Sequence, residues 1–476
     1  MDNIREKINK IDKKIMTLLE ERFNLSNEIG KIKCEKNTGI VDLFREGEIL
    51  AKVKNFKYQN PIKDVYKLIL KKSKNVQTKY GLVGKKISYS ISPLVYKRLG
   101  INYYNIVEFN DFKEIEDLDY FCLNITIPYK ADAYNYSKSL DESAIVTKTV
   151  NTLIGDKGYN TDYLAFKDII KYHNLNLVGK KIIIIGNGAT SRSVKAAIET
   201  DAVFLVRTIR DDNEYYLHSY VDFLDADYII NTTPYGAYPN LETRPIFPLI
   251  NFKNLKMVID VIYNPLNSPL IIEAKKYNIK TMNGLELLIR QANLSYNLMF
   301  NKNVNKSDEI LKDLNKRLHN IVLIGMPYSG KTTVAKTLAN TLNKELVDID
   351  DILELRNIDL NTLTVDNISL FREYEKKVAI KYSGNYNQVI STGGGLVESK
   401  EAMEALKING LIIFINTPVE KLIERIDGTR PLIKNEKDLL EIYKKRISLY
   451  KRYNDIEVTS DDANTIMEKI NEYFSN

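Results

Sequence analysis

Gly325-x4-Gly330-Lys331-Thr332, within IGMPYSGKTT, has the spacing of a loop that wraps phosphate. Its backbone N–H groups can donate to phosphate oxygens, the Lys331 ammonium can reach the β and γ oxygens of a nucleotide, and the Thr332 hydroxyl suits Mg2+. The apolar run Ile321-Val322-Leu323 precedes it, which places the loop between a strand and a helix. Gly325, Ser329, Gly330, Lys331, Thr332 and Thr333 are therefore expected to hold a nucleotide.

A second glycine turn lies in KKIIIIGNGATSRSVKAAI (180–198), a strand, a Gly-x-Gly turn and a helix start. Backbone amides around Gly186, Asn187, Gly188 and Ala189 would approach a pyrophosphate at that helix N-terminus, although the third glycine of the dinucleotide pattern is missing from its usual place. The next strand, AVFLVRT, ends in Arg207 and Thr208 rather than an acid. A cation there favours a 2′-phosphate, hence NADP(H) over NAD(H).

Other chemistry-bearing residues stand between and beyond these loops. Ser90 and Ser92 sit in a loop stopped by Pro93, NITIPYK (124–130) is expected to end a strand with Lys130, and Asn151 and Asp162 follow. Each alone reads as structural. After the phosphate loop, VDIDDILE (347–354) puts Asp348 and Asp350 just past a strand, one suited to magnesium and one to an acceptor hydroxyl. LFREYE (370–375) offers Arg372, VISTGGG (389–395) is a strand leading into a backbone-exposing loop, GTRPLI (428–433) has the character of a lid, and KKRISLY (444–450) offers Arg446. Taken singly, each arginine reads as a surface ion pair.

The N-terminal elements are helices. Ile8, Ile11, Ile15, Leu18, Leu25, Ile29 and Ile32 recur at steps of three and four, an apolar seam along one helix over 4–33. Arg22 stands where a seam residue belongs, and Lys33, three turns on, projects in nearly the same direction. A second helix opens at VDLFRE (41–46), with Asp42 as N-cap and Arg45 and Glu46 in its first turn. A third begins near Pro61, and its line Ile62, Tyr66, Ile69 runs into Ser73 and Gln77. A buried cation is costly unless it meets an anion. Polar interruptions on two helices fit a polar pocket within a bundle; the alternative is an arginine that snorkels or pairs in a coiled coil.

The chain has 476 residues, which at about 150 per domain predicts about three domains. It is 44% apolar and 28% charged, and no apolar run approaches the ~20 residues of a membrane span. The net charge of +7 is spread without a basic stripe, so no nucleic-acid partner is expected. Two distant cysteines and three scattered histidines predict neither a disulfide framework nor a metal cluster. The charged N-terminus is unlike a signal peptide, and a cytoplasmic location is expected.

In order, these motifs resemble three enzyme families. Residues 1–78 resemble the all-helical chorismate mutases: Arg5, Arg22, Lys33, Asp42, Arg45, Glu46, Ser73 and Gln77 fall on that functional pattern. The resemblance implies that Arg22 holds a substrate carboxylate in its own site and Arg5 one in the partner's. It also implies that Lys33 and Gln77 donate to the ether oxygen of chorismate as the C–O bond breaks. Three helices this long cannot bury their faces alone, which implies a homodimer through the N-terminal helices.

Residues 79–300 resemble shikimate dehydrogenase, with a substrate part at about 79–165 and a Rossmann-like NADP-binding part at about 166–300. Ser90, Ser92, Thr126, Asn151, Asp162, Tyr263 and Gln291 match its substrate contacts, and Lys130 with Asp162 its catalytic pair. NTTPYG (231–236) and GLELLIRQA (284–292) are two further signatures. The chain departs from that family at Tyr89 (usually His), Val206 (usually Asn) and Asp211 (often a phosphate-binding Arg). About twenty residues separate Arg210 from Asn231, short for the βα unit normally found there.

Residues 319–476 resemble shikimate kinase, an α/β P-loop fold, joined through a polar, helix-patterned linker at 301–318. This implies ATP with Mg2+ on Thr332 and Asp348, and Asp350, Arg372, Gly394, Gly395 and Arg446 on shikimate. Arg430 would close over the phosphates, with Arg425 on the adenine side. The whole is expected to be a multidomain enzyme of aromatic amino-acid biosynthesis. It would convert chorismate to prephenate, reduce 3-dehydroshikimate to shikimate with NADPH, and phosphorylate shikimate with ATP. Two other readings fit the same residues: a kinase fused to degenerate, ligand-sensing mutase and dehydrogenase domains, or a P-loop kinase for another small alcohol. Use of quinate by the dehydrogenase is a lesser variant.

Overall fold

The computed structural model describes residues 1–242, 244–354, 368–428 and 433–474. It divides into two compact units, one of Met1–Lys180, Asn187–Ala202 and Leu287–Ser307, the other of Lys181–Gly186, Val203–Glu286 and Asp308–Asn476.

In the first unit, three helices lead: α1 (Asp2–Glu35), α2 (Leu43–Lys52) and α3 (Gln59–Val76). Asp42 caps α2 as expected, accepting from Arg45 N at 2.9 Å. The periodic seam of α1 forms, but the single chain does not cover it: Ile4, Ile8, Ile11, Ile15, Leu18, Leu25, Ile29 and Ile32 are all between 46% and 65% exposed. Beyond α3 lies a six-stranded sheet. Its first three strands, Tyr104–Glu108, Tyr80–Gly84 and Cys122–Ile125, run parallel, and Thr152–Ile154 then pairs antiparallel with Cys122–Ile125. Lys79 ties the helices to this sheet. Buried almost completely, it donates to Asn27 Oδ1 at 2.6 Å and to Asp119 Oδ2 at 2.9 Å. The strand expected to run to Lys130 stops instead at Ile125. Pro128 has no N–H for the ladder, and Lys130 becomes the first residue of the helix Lys130–Tyr136.

The second unit holds two parallel sheets. One has the order Lys280–Met282, Met257–Asp260, Tyr228–Asn231, Ile182–Ile185, Val203–Val206, Glu214–Tyr216, a doubly wound arrangement. The all-isoleucine strand Ile182–Ile185 is buried along its length, as a continuous apolar run in a parallel sheet should be. The short stretch between Arg210 and Asn231 is a compressed βα unit: strand Glu214–Tyr216 and a seven-residue 3-10 helix, Leu217–Phe223. The other sheet has the order Glu345–Asp348, Gln388–Ser391, Asn320–Gly325, Gly410–Ile415, Ile456–Val458. Its central strand, Asn320–Gly325, is buried throughout and delivers the phosphate loop at its carboxyl end. The helix Ser307–Leu318 buries Ile310, Leu314 and Leu318 along one face, so much of the 301–318 stretch is packed helix.

Candidate active sites

The phosphate loop joins strand Asn320–Gly325 to helix Lys331–Leu342. Lys331 folds back over it, its Nζ donating to Gly325 O at 3.0 Å and Met326 O at 2.8 Å. Thr332 Oγ1 donates to Asp348 Oδ2 at 2.8 Å, and the other Asp348 oxygen accepts from Asp350 N at 3.1 Å. The two residues expected to hold Mg2+ are thus hydrogen-bonded to each other. Among the described residues no three His, Cys, Asp or Glu side chains converge to hold a metal alone. The donor set suits magnesium, which keeps waters and takes phosphate oxygens as its remaining ligands. A cavity of about 490 Å³ opens over the loop, lined by residues 327–333 with Asp350, Thr392, Gly394, Arg425 and Asp461 among others. Arg425 borders it, paired with Asp461 Oδ2 at 2.7 Å and donating to Tyr328 O at 3.1 Å.

The expected acceptor residues gather beside this cavity. Arg372 Nη1 lies 2.5 Å from Glu375 Oε2, one turn along the helix Ile368–Ser383. Glu375 is fully buried, and its Oε1 has no hydrogen-bond partner among the described residues. Burial raises its carboxyl above the usual range, while Arg372 and Arg446 pull the other way and Asp350 adds to the rise. Glu375 therefore feels all three of these groups. The two glycines give these side chains room: a Cβ at Gly395 would lie 2.0 Å from Arg372 Nη2, and one at Gly393 would lie 2.0 Å from Glu375 Oε1, so either side chain would have to move. Arg446 is 6% exposed and donates through Nε to Glu398 Oε1 at 2.7 Å. Burial pushes the Glu398 carboxyl up, but Lys445 and Arg446 outweigh it and hold it below the usual range. The Tyr450 hydroxyl sits between Gly325 O, at 2.9 Å, and Gly394 O, at 2.5 Å, which joins the phosphate loop to the glycine loop. Arg430, in the expected lid, lies outside the described residues.

In the first unit, Lys130 and Asp162 meet at 2.6 Å, both largely buried. Thr190 Oγ1, in the first turn of the helix Ala189–Ile198, stands 3.4 Å from Lys130 Nζ. Asn151 Oδ1 accepts from Thr161 N at 2.7 Å, and Thr161 Oγ1 lies 3.3 Å from Gln291 Oε1, so one network links two expected substrate contacts with Asp162's helix. Ser90 and Ser92 share a hydrogen bond at 3.1 Å, and Thr126 is held through its N–H to Val83 O at 2.9 Å. The helix Ala189–Ile198 starts at Gly188 with no side-chain cap, leaving its first amides for a ligand. Ser191, where the third glycine of the pattern would stand, turns its hydroxyl back to Gly188 O at 2.7 Å. Gly186, Arg207, Thr208 and Tyr263 belong to the second unit. Gly186 has φ +100°, which glycine tolerates, and a Cβ would meet Thr233 Cγ2 at 2.9 Å. Arg207 and Thr208 are exposed just past strand Val203–Val206. The uncapped helix N-terminus by itself fits a phosphate group.

Among the helices, Arg22 Nη1 donates to Ser73 Oγ, which itself donates to Ile69 O at 2.7 Å. Lys33 Nζ donates to Ile40 O at 2.7 Å, and Glu46 pairs with Lys74 at 3.2 Å. Gln77 Oε1 is buried without a hydrogen-bond partner among the described residues. Arg22, Ser73, Lys33, Glu46 and Gln77 thus lie where α1, α2 and α3 meet. Arg5, Asp42 and Arg45 are exposed; Arg45 pairs with Glu48 at 2.9 Å.

Family models match three stretches: Chorismate mutase type II over residues 4–78, Shikimate dehydrogenase substrate binding domain over 82–153, and Shikimate kinase over 327–475. The chain is 32% identical over 254 residues to shikimate dehydrogenase (NADP(+)) of Methanococcus vannielii, covering 46% of this chain and 89% of that one. It is 31% identical over 259 residues to the protein of the same name from Methanocaldococcus jannaschii, covering 47% and 92%. A solved chorismate mutase/shikimate 5-dehydrogenase fusion protein from Clostridium acetobutylicum is similar at 26% identity and TM-score 0.46, over 50% of this chain and 97% of that one. The chain belongs to the shikimate dehydrogenase family and carries, in the same polypeptide, a chorismate mutase type II domain and a shikimate kinase domain, which makes it a multifunctional enzyme of the shikimate pathway.

Proposed function

We propose that the chain rearranges chorismate to prephenate through residues 1–78, reduces 3-dehydroshikimate to shikimate with NADPH through 79–300, and transfers phosphate from ATP to shikimate through 319–476. The observation that carries the kinase part of this reading is the cavity over the phosphate loop, which Asp350 and Gly394 line, with Glu375 and Arg372 packed against the adjoining Gly393 and Gly395. Two guanidiniums of fixed position suit a carboxylate, and a carboxylate next to the phosphates suits a hydroxyl nucleophile.

In the kinase, Arg372 and Arg446 grip the acceptor's carboxylate, while Asp350 orients its 3-hydroxyl and accepts the proton. Lys331 and the loop amides hold the phosphates, with Thr332 and Asp348 on Mg2+. ATP, when bound, supplies the phosphoryl group. In the dehydrogenase, Ser90, Ser92, Asn151, Tyr263 and Gln291 hold the substrate, and Lys130, held in place by its contact with Asp162, delivers a proton to the carbonyl oxygen. NADPH, when bound on Gly186, Gly188 and Arg207, supplies the hydride. In the mutase, Arg22 and the partner chain's second copy of Arg5 fix the compact conformer of chorismate, and Lys33 with Gln77 stabilises the ether oxygen as charge develops. The exposed seam of α1 supports a homodimer through these helices. Both cysteines are free thiols, which fits the cytoplasm, where NADPH and ATP are supplied.

The test is a coupled assay of the purified chain with 3-dehydroshikimate, NADPH and MgATP. NADPH absorbance should fall and shikimate 3-phosphate should accumulate, and separately supplied chorismate should give prephenate. Intact phosphorylation of shikimate without NADPH oxidation would mark the dehydrogenase as a ligand sensor. Failure to phosphorylate shikimate, with another alcohol accepted, would sink the kinase assignment.

A further inference from the structure

Loop 261–268 joins strand Met257–Asp260 to helix Pro269–Lys276 in the dinucleotide-binding sheet, and it carries Tyr263. Its far end is held by kinase residues of the same compact unit. Leu266 N donates to Asn409 Oδ1 at 3.0 Å, Asn267 N to Ile408 O at 2.8 Å, and Asn267 Nδ2 to Lys407 O at 3.0 Å. Leu266 is fully buried and Asn409 is 1% exposed.

The kinase partners are themselves fixed. Asn409 Nδ2 donates to Ser383 O at 3.2 Å, and its carbonyl accepts at 2.8 Å from the N–H of Asn320, first residue of the phosphate-loop strand. Tyr386, also in the kinase, is close to Tyr263: burial, and then the charge of Tyr263, raises the Tyr386 phenol above its usual range. On its own side the loop has Asn283 Nδ2 on Leu266 O at 2.9 Å and Lys275 on Asn267 Oδ1 at 2.8 Å. Two of the three bonds across the joint use loop N–H groups, and no rotamer change can re-aim a backbone donor. With the kinase acceptors removed, those donors would be buried unsatisfied or would have to move to water.

We propose that kinase residues 407–409 act as positioning residues for the dehydrogenase reaction, holding loop 261–268 so that Tyr263 is presented to substrate in one geometry. This rests on the reading that Tyr263 contacts substrate. The kinase is then part of the dehydrogenase's binding machinery as well as a second enzyme.

Full-length Asn267→Ala and Asn409→Ala are compared with Tyr263→Phe in the dehydrogenase assay. Each Asn variant should raise KM for shikimate about fivefold, the scale of one lost hydrogen bond, with kcat and the KM for NADP+ unchanged. Asn267→Ala should leave the kinase KM for ATP unchanged. If both Asn variants lower the thermal midpoint but leave KM for shikimate unchanged while Tyr263→Phe raises it, the joint is structural only and the proposal is overturned. If Tyr263→Phe leaves KM unchanged, the substrate assignment of Tyr263 fails and takes the proposal with it.

Discussion

Arg372 and Glu375 stand one helical turn apart with 2.5 Å between guanidinium and carboxylate, and Glu375 is fully buried while Arg372 is partly exposed. Breaking such a pair from one side leaves a buried group uncompensated, at a cost of about 3 kcal/mol. Arg372→Ala should therefore lower stability and abolish measurable saturation with shikimate. Arg372→Leu with Glu375→Leu should recover much of the stability and none of the acceptor affinity. Denaturation midpoints and KM values measured on both variants separate folding from binding. Retained shikimate affinity in the double variant would remove Arg372 from the pocket.

Lys130 and Asp162 are the only charged pair assigned to proton transfer in the dehydrogenase reading. Lys130→Met should lower dehydrogenase kcat about 10²- to 10⁴-fold, the usual contribution of a positioned acid or base. Asp162→Asn, which leaves Lys130 in place but unpaired, should reduce kcat less and raise KM as well. Shikimate phosphorylation by the same preparations serves as the internal control and should not change.

The seam on α1 gives a test of assembly. Ile8→Asp with Ile15→Asp places two carboxylates on a half-exposed apolar line, where they would be desolvated in a dimer and harmless in a monomer. Light scattering should report a monomer, with mutase activity lost and kinase activity kept. An active monomer would show that Arg5 does not serve a partner's site.

Asp260, fully buried, accepts from Asn231, Ile262 and Ser268. Burial raises its carboxyl to about 6, partly offset by those three bonds. Between pH of about 4 and about 6 the folded chain therefore holds a proton that the unfolded chain has released. This residue's contribution to stability falls as pH rises through that window, by about 3 kcal/mol in all. Asp260→Asn should stay neutral throughout, so the stability difference between variant and parent should shift in the variant's favour from pH 4 to pH 7. Urea denaturation at a series of pH values measures it, and a flat difference would contradict a buried neutral carboxyl.

Much of the fold could be read from local pattern. The steps of three and four along Ile8 to Ile32 predict α1, the four isoleucines before Gly186 predict a buried strand, and the phosphate loop declares its own strand and helix. The pairs that complete the sites could not be read this way, because their members are far apart in the chain. Thr190 reaches Lys130 across sixty residues, Arg446 reaches Glu398 across forty-eight, and Leu266 reaches Asn409 across more than a hundred. Such partners leave no periodicity in one sequence. Glu375 is a different omission: it sits three residues after Arg372 in LFREYE, helical spacing that was legible. The end of the Cys122–Ile125 strand was likewise marked by Pro128.

The strand Asn320–Gly325 has the dehydrogenase loop at its first residue, through Asn409, and the phosphate loop at its last. Six residues at about 3.3 Å each separate the two ends by about 20 Å of close-packed interior. Covalent linkage delivers equal dosage: each polypeptide brings one kinase domain for every dehydrogenase domain, whatever the expression level.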